Sequence, residues 1–511
     1  MKRQSIVNRF GLVISLFLLS HSTQVVAFAN TIFVADQSFL QKNYLKARTE
    51  YQAAAEIGNP RAYYQLGAIH HQGLGTEINK VTALVWFSLA AEYHYDNSVE
   101  IVEFLMAGIP QDQKVLVQSY IDKFQKQYGQ ASINAKYFPV LKKDNLTTEV
   151  HFGDESELSG KHSSFDDDID DFDSQFSSLE NSMDDNFGGE DEFGGDSLQS
   201  YSSVYITTND ALFNKPYFLV VDYDIAPDGS RRDFVPRQTM GVINKGLYEL
   251  SLSTLPQPKF KGENIHFVNR TFLGIANYDI FRIRRDYGVL YRKVRRLVNK
   301  LKTSNTPQDK YQYAQILMNF TWLKPKVGQV DSLLKNAAQE GHSEAQFEYG
   351  LKLYREQKDL QQAIYWIARA SKEGLSQAEY RLGRILLDSP WVIHDEEKAL
   401  FWLNSAAEKK HLAAIRKVAE LKLLAKDQSL HDVNGAMKYL EQIAESQDEN
   451  PQFHYLKAIA YNNMQPRQLS KSVTLIREAI DLGEDYNWDV TEWQQLLIKW
   501  TSSGTVTVQD L

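Results

Sequence analysis

Six features of the chain have residue types that do chemistry elsewhere. His70-His71 supplies two imidazoles, but neighbouring positions on a helix point to different faces. Two histidines that share one metal on a helix favour a spacing of four. His342, His394, His411, His431 and His454 are scattered with no ligand spacing. Gly73-x-Gly75 has the look of a phosphate loop, yet no strand precedes it and no Lys-Ser or Lys-Thr follows, so it reads as a turn between helices. Ser332-Leu333-Leu334-Lys335 is the Ser-x-x-Lys frame of a serine nucleophile. The companion Ser-Asp-Asn and Lys-Thr-Gly motifs are absent from the chain, and the frame runs into Ala337-Ala338 inside a helical pattern. Asp166-Asp167-Asp168-x-Asp170-Asp171-x-Asp173 is rich in oxygen ligands. It lacks the glycine at the sixth position and the closing bidentate glutamate of a calcium loop. Trp86, Trp366 and Trp402 have the makings of an aromatic ligand ladder, but they recur at one equivalent position and read as core. We therefore expect no catalytic, cofactor-binding or metal-binding residue, and no cofactor.

The chain has no cysteine, which excludes disulfides, thiol nucleophiles and thiolate metal sites. Its ends of charge are separated: Asp154 to Asp196 holds sixteen acidic residues and one Lys, and Phe281 to Lys302 holds nine Lys or Arg and one Asp. Lys2, Arg3 and Arg9, the apolar run Phe10 to Leu19 and Ala27-Phe28-Ala29 have the layout of a cleaved export signal. The expected location is the periplasm, with secretion or anchoring by an uncleaved leader as the alternatives, and nucleic acid is not the expected partner of a basic patch there.

What organises the rest is a repeat. Ala83-x-x-Trp86-x-x-x-Ala90-Ala91 returns as Ala363-x-x-Trp366-x-x-x-Ala370-Ser371 and as Ala399-x-x-Trp402-x-x-x-Ala406-Ala407. It fades to the copies at Ala436 and Ser472. A second frame precedes it: Gly58-x-x-x-Ala62-x-x-x-Leu66-Gly67, matched from Gly341 to Gly350 and from Gly374 to Gly383. Residues three and four apart share a helical face, and Ala and Gly there let two helices approach closely. One such hairpin cannot bury its apolar face alone, and a stack of them can.

These residues resemble the Sel-like repeat, a relative of the tetratricopeptide repeat, over roughly Ala35 to Tyr95 and Lys310 to Leu482. The resemblance implies an α-solenoid that grips a protein partner in an assembling complex. The later copies lack the Gly-x-Gly loop, and Tyr354 to Leu360 is short and charged.

Between the arrays the pattern changes. Leu219, Val221, Tyr223 and Ile225 alternate with Phe218, Val220, Asp222 and Asp224, which predicts a strand, and Pro227-Asp228-Gly229 predicts a turn. Leu247 to Leu255 reads as a short helix stopped by Pro256 and Pro258. Ile265 to Phe267 and Phe281 to Ile283 read as further strands. With Pro258-Lys259-Phe260 before the closing strand, Tyr217 to Arg284 resembles a degenerate TonB C-terminal-type domain. Tyr287 to Lys302 reads as a basic amphipathic helix with the stripe Leu290, Val294, Leu297 and Leu301. That helix offers a contact for a membrane, the cell wall or an acidic partner, the acidic linker included.

The expected fold is mainly α: an α-solenoid of two-helix Sel-like, tetratricopeptide-like repeats in two arrays with a small α+β domain between them. The expected layout is signal peptide 1–29, N-terminal array with helical cap 30–150, acidic disordered linker 151–203, α+β domain 204–286, basic helix 287–305, C-terminal array 306–500 and tail 501–511. The expected function is a non-catalytic scaffold or adaptor for protein partners in the cell envelope. The alternative is an accessory of TonB-type energy transduction or envelope transport acting through the middle domain. Mass spectrometry of the exported protein should find a mature chain starting at Asn30; a chain retaining Met1 would show that the leader is kept.

Overall fold

The computed structural model describes residues 32–153 and 216–502. The leader, the acidic cluster Asp166–Asp173 and most of the linker lie outside the described residues, as does the end of the tail. The chain divides into two compact units, one of residues up to Tyr137 with Lys372–Gly374, the other of Phe138–Ser371 and Leu375 onward.

The first unit is helical: α1 (Ile32–Leu40), α2 (Tyr44–Glu56), α3 (Pro60–Gln72), α4 (Lys80–Ala91), α5 (Ser98–Ala107), α6 (Gln111–Tyr128) and α7 (Gln130–Tyr137). Asparagines start three of them: Asn43, Asn59 and Asn79 accept from the amides of Lys46, Ala62 and Thr82, which satisfies donors the helix leaves open. Gly73 and Gly75 take left-handed angles in the turn between α3 and α4, so the Gly-x-Gly pair is the interhelical turn expected of it. A Cβ on Gly67 would lie 2.9 Å from the Phe87 ring, so only glycine permits α3 and α4 to close. Trp86 is buried in the core and stacks on Tyr63 at 5.9 Å. The Tyr63 hydroxyl donates to the Tyr128 carbonyl at 2.7 Å and ties α6 to the repeat.

The second unit continues the hairpins: α11 (Pro307–Asn319), α12 (Gln329–Gln339), α13 (Ser343–Arg355), α14 (Leu360–Lys372), α15 (Ser376–Asp388), α16 (Glu396–Glu408), α17 (Leu412–Leu424), α18 (Val433–Gln442), α19 (Pro451–Asn463), α20 (Leu469–Asp485) and α21 (Thr491–Thr501). Trp366 and Trp402 are buried, as their repeat position requires. Ser332 lies within α12, and its hydroxyl donates to the Gly328 carbonyl rather than meeting Lys335. The short α13–α14 loop closes without a glycine pair because Gln357 and Asp359 adopt left-handed angles.

A three-stranded antiparallel sheet of order β3-β2-β6 belongs to this unit: β2 (Phe218–Ile225), β3 (Arg231–Met240) and β6 (Phe267–Gly274). A smaller sheet joins β1 (His151–Phe152), β4 (Pro258–Phe260) and β5 (Glu263–Asn264). The turn after β2 forms as expected, with Asp228 accepting from the Ser230 amide and hydroxyl. Helix α8 (Asn244–Ser251) begins and ends earlier than its sequence pattern suggests. Phe281 to Ile283 is not a strand. It opens α9 (Ile280–Asp286), because the Asp279 carboxylate caps the amides of Phe281 and Arg282. The basic helix α10 (Gly288–Lys302) forms, but its buried stripe includes Tyr291, Val294 and Leu301, and Leu297 is 41% exposed.

Both faces of β2 are buried. Leu219, Val221, Tyr223 and Ile225 pack with Ile243 and Leu250 of the α8 region, and Phe218 and Val220 pack with Ile283, Tyr291 and Val294. Gly350 tests how tightly the hairpins are closed. A Cβ there would stand 2.8 Å from the Ala363 carbonyl oxygen and 2.9 Å from the Ile367 amide nitrogen, both backbone atoms that cannot swing away. Gly350→Ala should therefore destabilise the second unit by roughly 1–3 kcal/mol in urea denaturation. Gly288→Ala, with nothing nearer than 3.5 Å, should be neutral or stabilising.

Candidate partner-binding face

The repeat frame fixes which residues of each hairpin look outward from its first helix. Counted from the framework alanines Ala345, Ala378 and Ala414, positions two, three, six and ten hold Glu348 and Arg355 on α13, Tyr380, Arg381 and Arg384 on α15, and Arg416 on α17. An array face so rich in arginine needs an anionic cover. The sheet supplies it.

Asp222 of β2 lies 2.6 Å from the Arg270 Nε and 3.3 Å from the Arg355 Nη1. Arg270 of β6 reaches on to Glu348 at 3.1 Å, and Arg237 of β3 meets Glu348 at 3.2 Å. Two residues along β2, Asp224 accepts from Arg381 at 2.5 Å and Arg384 at 2.7 Å. Asp233 accepts from Arg384 at 2.9 Å and from Arg416. The Tyr380 hydroxyl stands 3.1 Å from both carboxylates and donates to one at a time. Asp233 has a left-handed φ of 54° beside a bulge in the β2–β3 register, which turns its side chain toward the helices. Successive inward residues of one strand thus meet successive hairpins of the array.

These groups are withdrawn from water. Burial pushes the carboxyls up, but the guanidiniums outweigh it: Arg270 holds Asp222 well below the usual carboxylate range, and Arg416 does the same for Asp233. Glu348 ends at about 2 for the same reason, burial opposed by Arg270. Arg355 is pushed down to about 10 by burial and by the charge of Arg270. Its cluster sets Arg237, Arg270 and Arg355 against only Asp222 and Glu348. His411, which caps α17 by accepting from the Ala414 amide, is pushed down to about 4 by burial.

A second segment lies on the same array. Phe138 packs on Trp402 at 5.2 Å. Beyond it, the chain from Val140 to Val150 is read through its backbone: Ile393 N donates to the Val140 carbonyl at 2.8 Å, Lys142 N donates to the Trp391 carbonyl at 2.8 Å, and Trp391 Nε1 donates to the Thr148 carbonyl at 2.9 Å. The Gln357 amide accepts from Val150 N and donates to Val150 O. Such contacts grip an extended chain with little regard to its side chains.

Among the described residues no three His, Cys, Asp or Glu come together to hold a metal. His70 is buried, and His71 is only partly so. An open cleft of about 530 Å³ is lined by Asp388, Glu396, Lys417, Glu420, Leu424 and Asp427, among others. Its acids have partners already: Glu420 pairs with Lys417 at 2.9 Å, and Glu396 caps the amides of Lys426 and Asp427. The sequence reading missed the interface itself, although Asp222 and Asp224 on every second position of an apolar strand were its visible sign.

The fold and this face define an α-solenoid whose repeats bind extended segments. Sel1 repeats stand in three places: the Sel1 repeat family model matches residues 60–92, 343–375 and 376–411. Among solved structures, a Sel1 repeat protein from Oxalobacter formigenes is 18% identical, with 38% of this chain and 83% of that chain covered and a TM-score of 0.31. The c5321 protein, a protective antigen present in uropathogenic Escherichia coli strains displaying an SLR fold, is 16% identical, with 94% of this chain and 88% of that chain covered and a TM-score of 0.27. No curated protein matches the chain. Sel1 repeats indicate a protein–protein interaction scaffold.

Asp222→Ala would leave Arg237, Arg270 and Arg355 facing Glu348 alone, and should cost about 3–5 kcal/mol in urea denaturation at pH 7. Carboxyls held below their unfolded values contribute stability that is complete above about pH 4 and is lost as pH falls through the folded value, about 2 for Glu348. His411 acts in the same direction at higher pH. The unfolded ring takes up a proton near 6.5 and the buried ring only near 4, so stability falls across that window as well. Glu348→Gln should flatten the fall between pH 4 and 2 and leave the His411 window unchanged.

Proposed function

We propose that the chain is a non-catalytic scaffold of the cell envelope, exported to the periplasm, which holds a protein partner on the first-helix face of its N-terminal repeat. One comparison of equivalent positions carries this reading. Counted from Ala62, the positions that hold the sheet in the second unit are Tyr64, Gln65, Ala68 and Gln72, of which Tyr64 already packs on Phe87 and donates to Asn97. Gln65 and Ala68 are half-buried and Gln72 is exposed, whereas Glu348, Arg381 and Arg384 are buried. The C-terminal array has its face filled by its own chain, and the N-terminal repeat has the same face only half-covered, with Gln72 exposed. Export rests on the leader ending at Ala29, and the absence of cysteine is compatible with it.

The alternative, an accessory role in TonB-type energy transduction or envelope transport, would act through the sheet. Strand β2 is paired on both edges and buried on both faces, so a partner strand would have to add outside β3 or β6. The end of β3 is exposed at Met240, and Val242 beyond it is exposed too.

A pull-down from cell-envelope extract with the chain from Asn30 separates the two. The wild-type chain should retain a stoichiometric protein, and Gln65→Glu/Ala68→Arg should weaken its capture at least about ten-fold at unchanged melting temperature. Loss instead on Met240→Lys/Val242→Lys would move the function to the sheet. Retention by both variants, or no protein retained by any, would remove the scaffold reading in this form.

A further inference from the structure

The α9–α10 stretch concentrates positive charge, and the structure decides what such a surface can take. Most of its apolar side is used: Tyr291 and Val294 are buried with Phe218, Ile283, Phe320 and Trp322, while Phe281 on α9 stays 63% exposed. A helix that binds a lipid surface needs that side free to insert. What α10 turns outward is Arg292, Arg296 and Lys300, with Val289 exposed among them at 69% and Leu297 at the margin. That surface fits an acidic segment that brings its own apolar groups.

The chain contains one. Within the acidic run, Phe165, Ile169, Phe172, Phe176, Leu179 and Met183 recur at alternating intervals of four and three. This is the spacing of residues on one helical face. Asp166, Asp167, Asp168, Asp170, Asp171 and Asp173 fill the positions between. Composition alone gives a solvated linker, because it weighs the acids and overlooks the interval of the apolar residues.

We propose that residues 165–183 form a recognition segment whose docking surface is the outward, arginine-bearing face of α10 of the same chain. The tether permits it. About thirty residues separate Met183 from Pro216, which spans roughly 30 Å as a coil, against ~22 Å for the length of α10. The tether re-enters the fold at β2, where Phe218 shares a cluster with Tyr291 and Val294. A short tether gives the segment a high effective concentration at that surface, so external polyanions must compete with it. The surface is thereby a masked one, opened by salt or by a stronger acidic competitor.

Chymotrypsin digestion of the full chain reads the docking directly, since the segment offers Phe165, Phe172 and Phe176 as cut sites. At low salt, cutting there should be about ten-fold slower in the wild-type chain than in Arg292→Glu/Arg296→Glu, with unchanged melting. Phe172→Ser/Phe176→Ser, which keeps every charge, should speed cutting at Phe165 if the apolar stripe docks. Deleting residues 160–187 should raise the salt needed to elute the chain from heparin, a soluble-type polyanion, by unmasking α10. Equal cutting rates in wild type and Arg292→Glu/Arg296→Glu would overturn the proposal. So would heparin retention that is as strong with the segment as without it.

Discussion

The second unit turns on the placement of carboxylates from a strand against arginines from a row of helices. Arg270 lies between Asp222 and Glu348, so a residue of the sheet bridges an acid of the sheet and an acid of the array. Attraction between charges is strong in a buried place, but desolvation costs nearly as much, and such a network adds little net stability. What it does impose is selectivity. A shift of β2 by one residue would put Val221 and Tyr223 against Arg355, Arg381 and Arg384, and would bury the aspartates among Ile243 and Leu250. The register of the strand and the order of the hairpins therefore fix each other.

That coupling explains why the middle region does not stand apart. A three-stranded sheet with one short helix buries too little by itself. Here one part of β2 is covered by α9 and α10, another by the repeats, and the opposite face by α8. The array gains as well, because an open row of Arg355, Arg381, Arg384 and Arg416 would repel itself along its length. Each partner supplies what the other lacks.

The repeats were legible because their spacing is set by helix geometry. Gly67, Gly350 and Gly383 sit where two helices touch, and Trp86, Trp366 and Trp402 fill the gap beside them, so type and interval state the packing. The strand at Phe218 was legible for the same reason, with a period of two. The opening of α9 was not, since Phe281-Arg-Ile283 reads as a strand until the side chain of Asp279 is placed over its amides. Leu297 shows a related limit. A helical wheel assigns it to the apolar stripe, but the direction of the core decided instead for Tyr291. The interface was hidden more deeply. Its sheet and array partners lie 78 to 183 residues apart in sequence, and nothing local to Asp224 says that Arg381 and Arg384 will meet it.

The strap from Phe138 to Val150 and the strand β2 bear on one question, how an array of this kind recognises a segment. The strap is held mostly through its backbone, by Trp391, Ile393 and Gln357, and would accept many sequences in the same pose. The strand is held through side chains, by a pattern of charge that accepts few. The two modes use different parts of the hairpins. Backbone reading falls on the loops after α13 and α15, and charge reading falls on the helices themselves. Loops vary freely between repeats because they do not close the stack, while the outward positions of the first helix vary because only the inward ones are fixed by packing. A repeat can therefore change what it binds without changing how it stacks. That is why Gln65 and Ala68 can stand where Arg381 and Arg384 stand, on the same framework with a different surface.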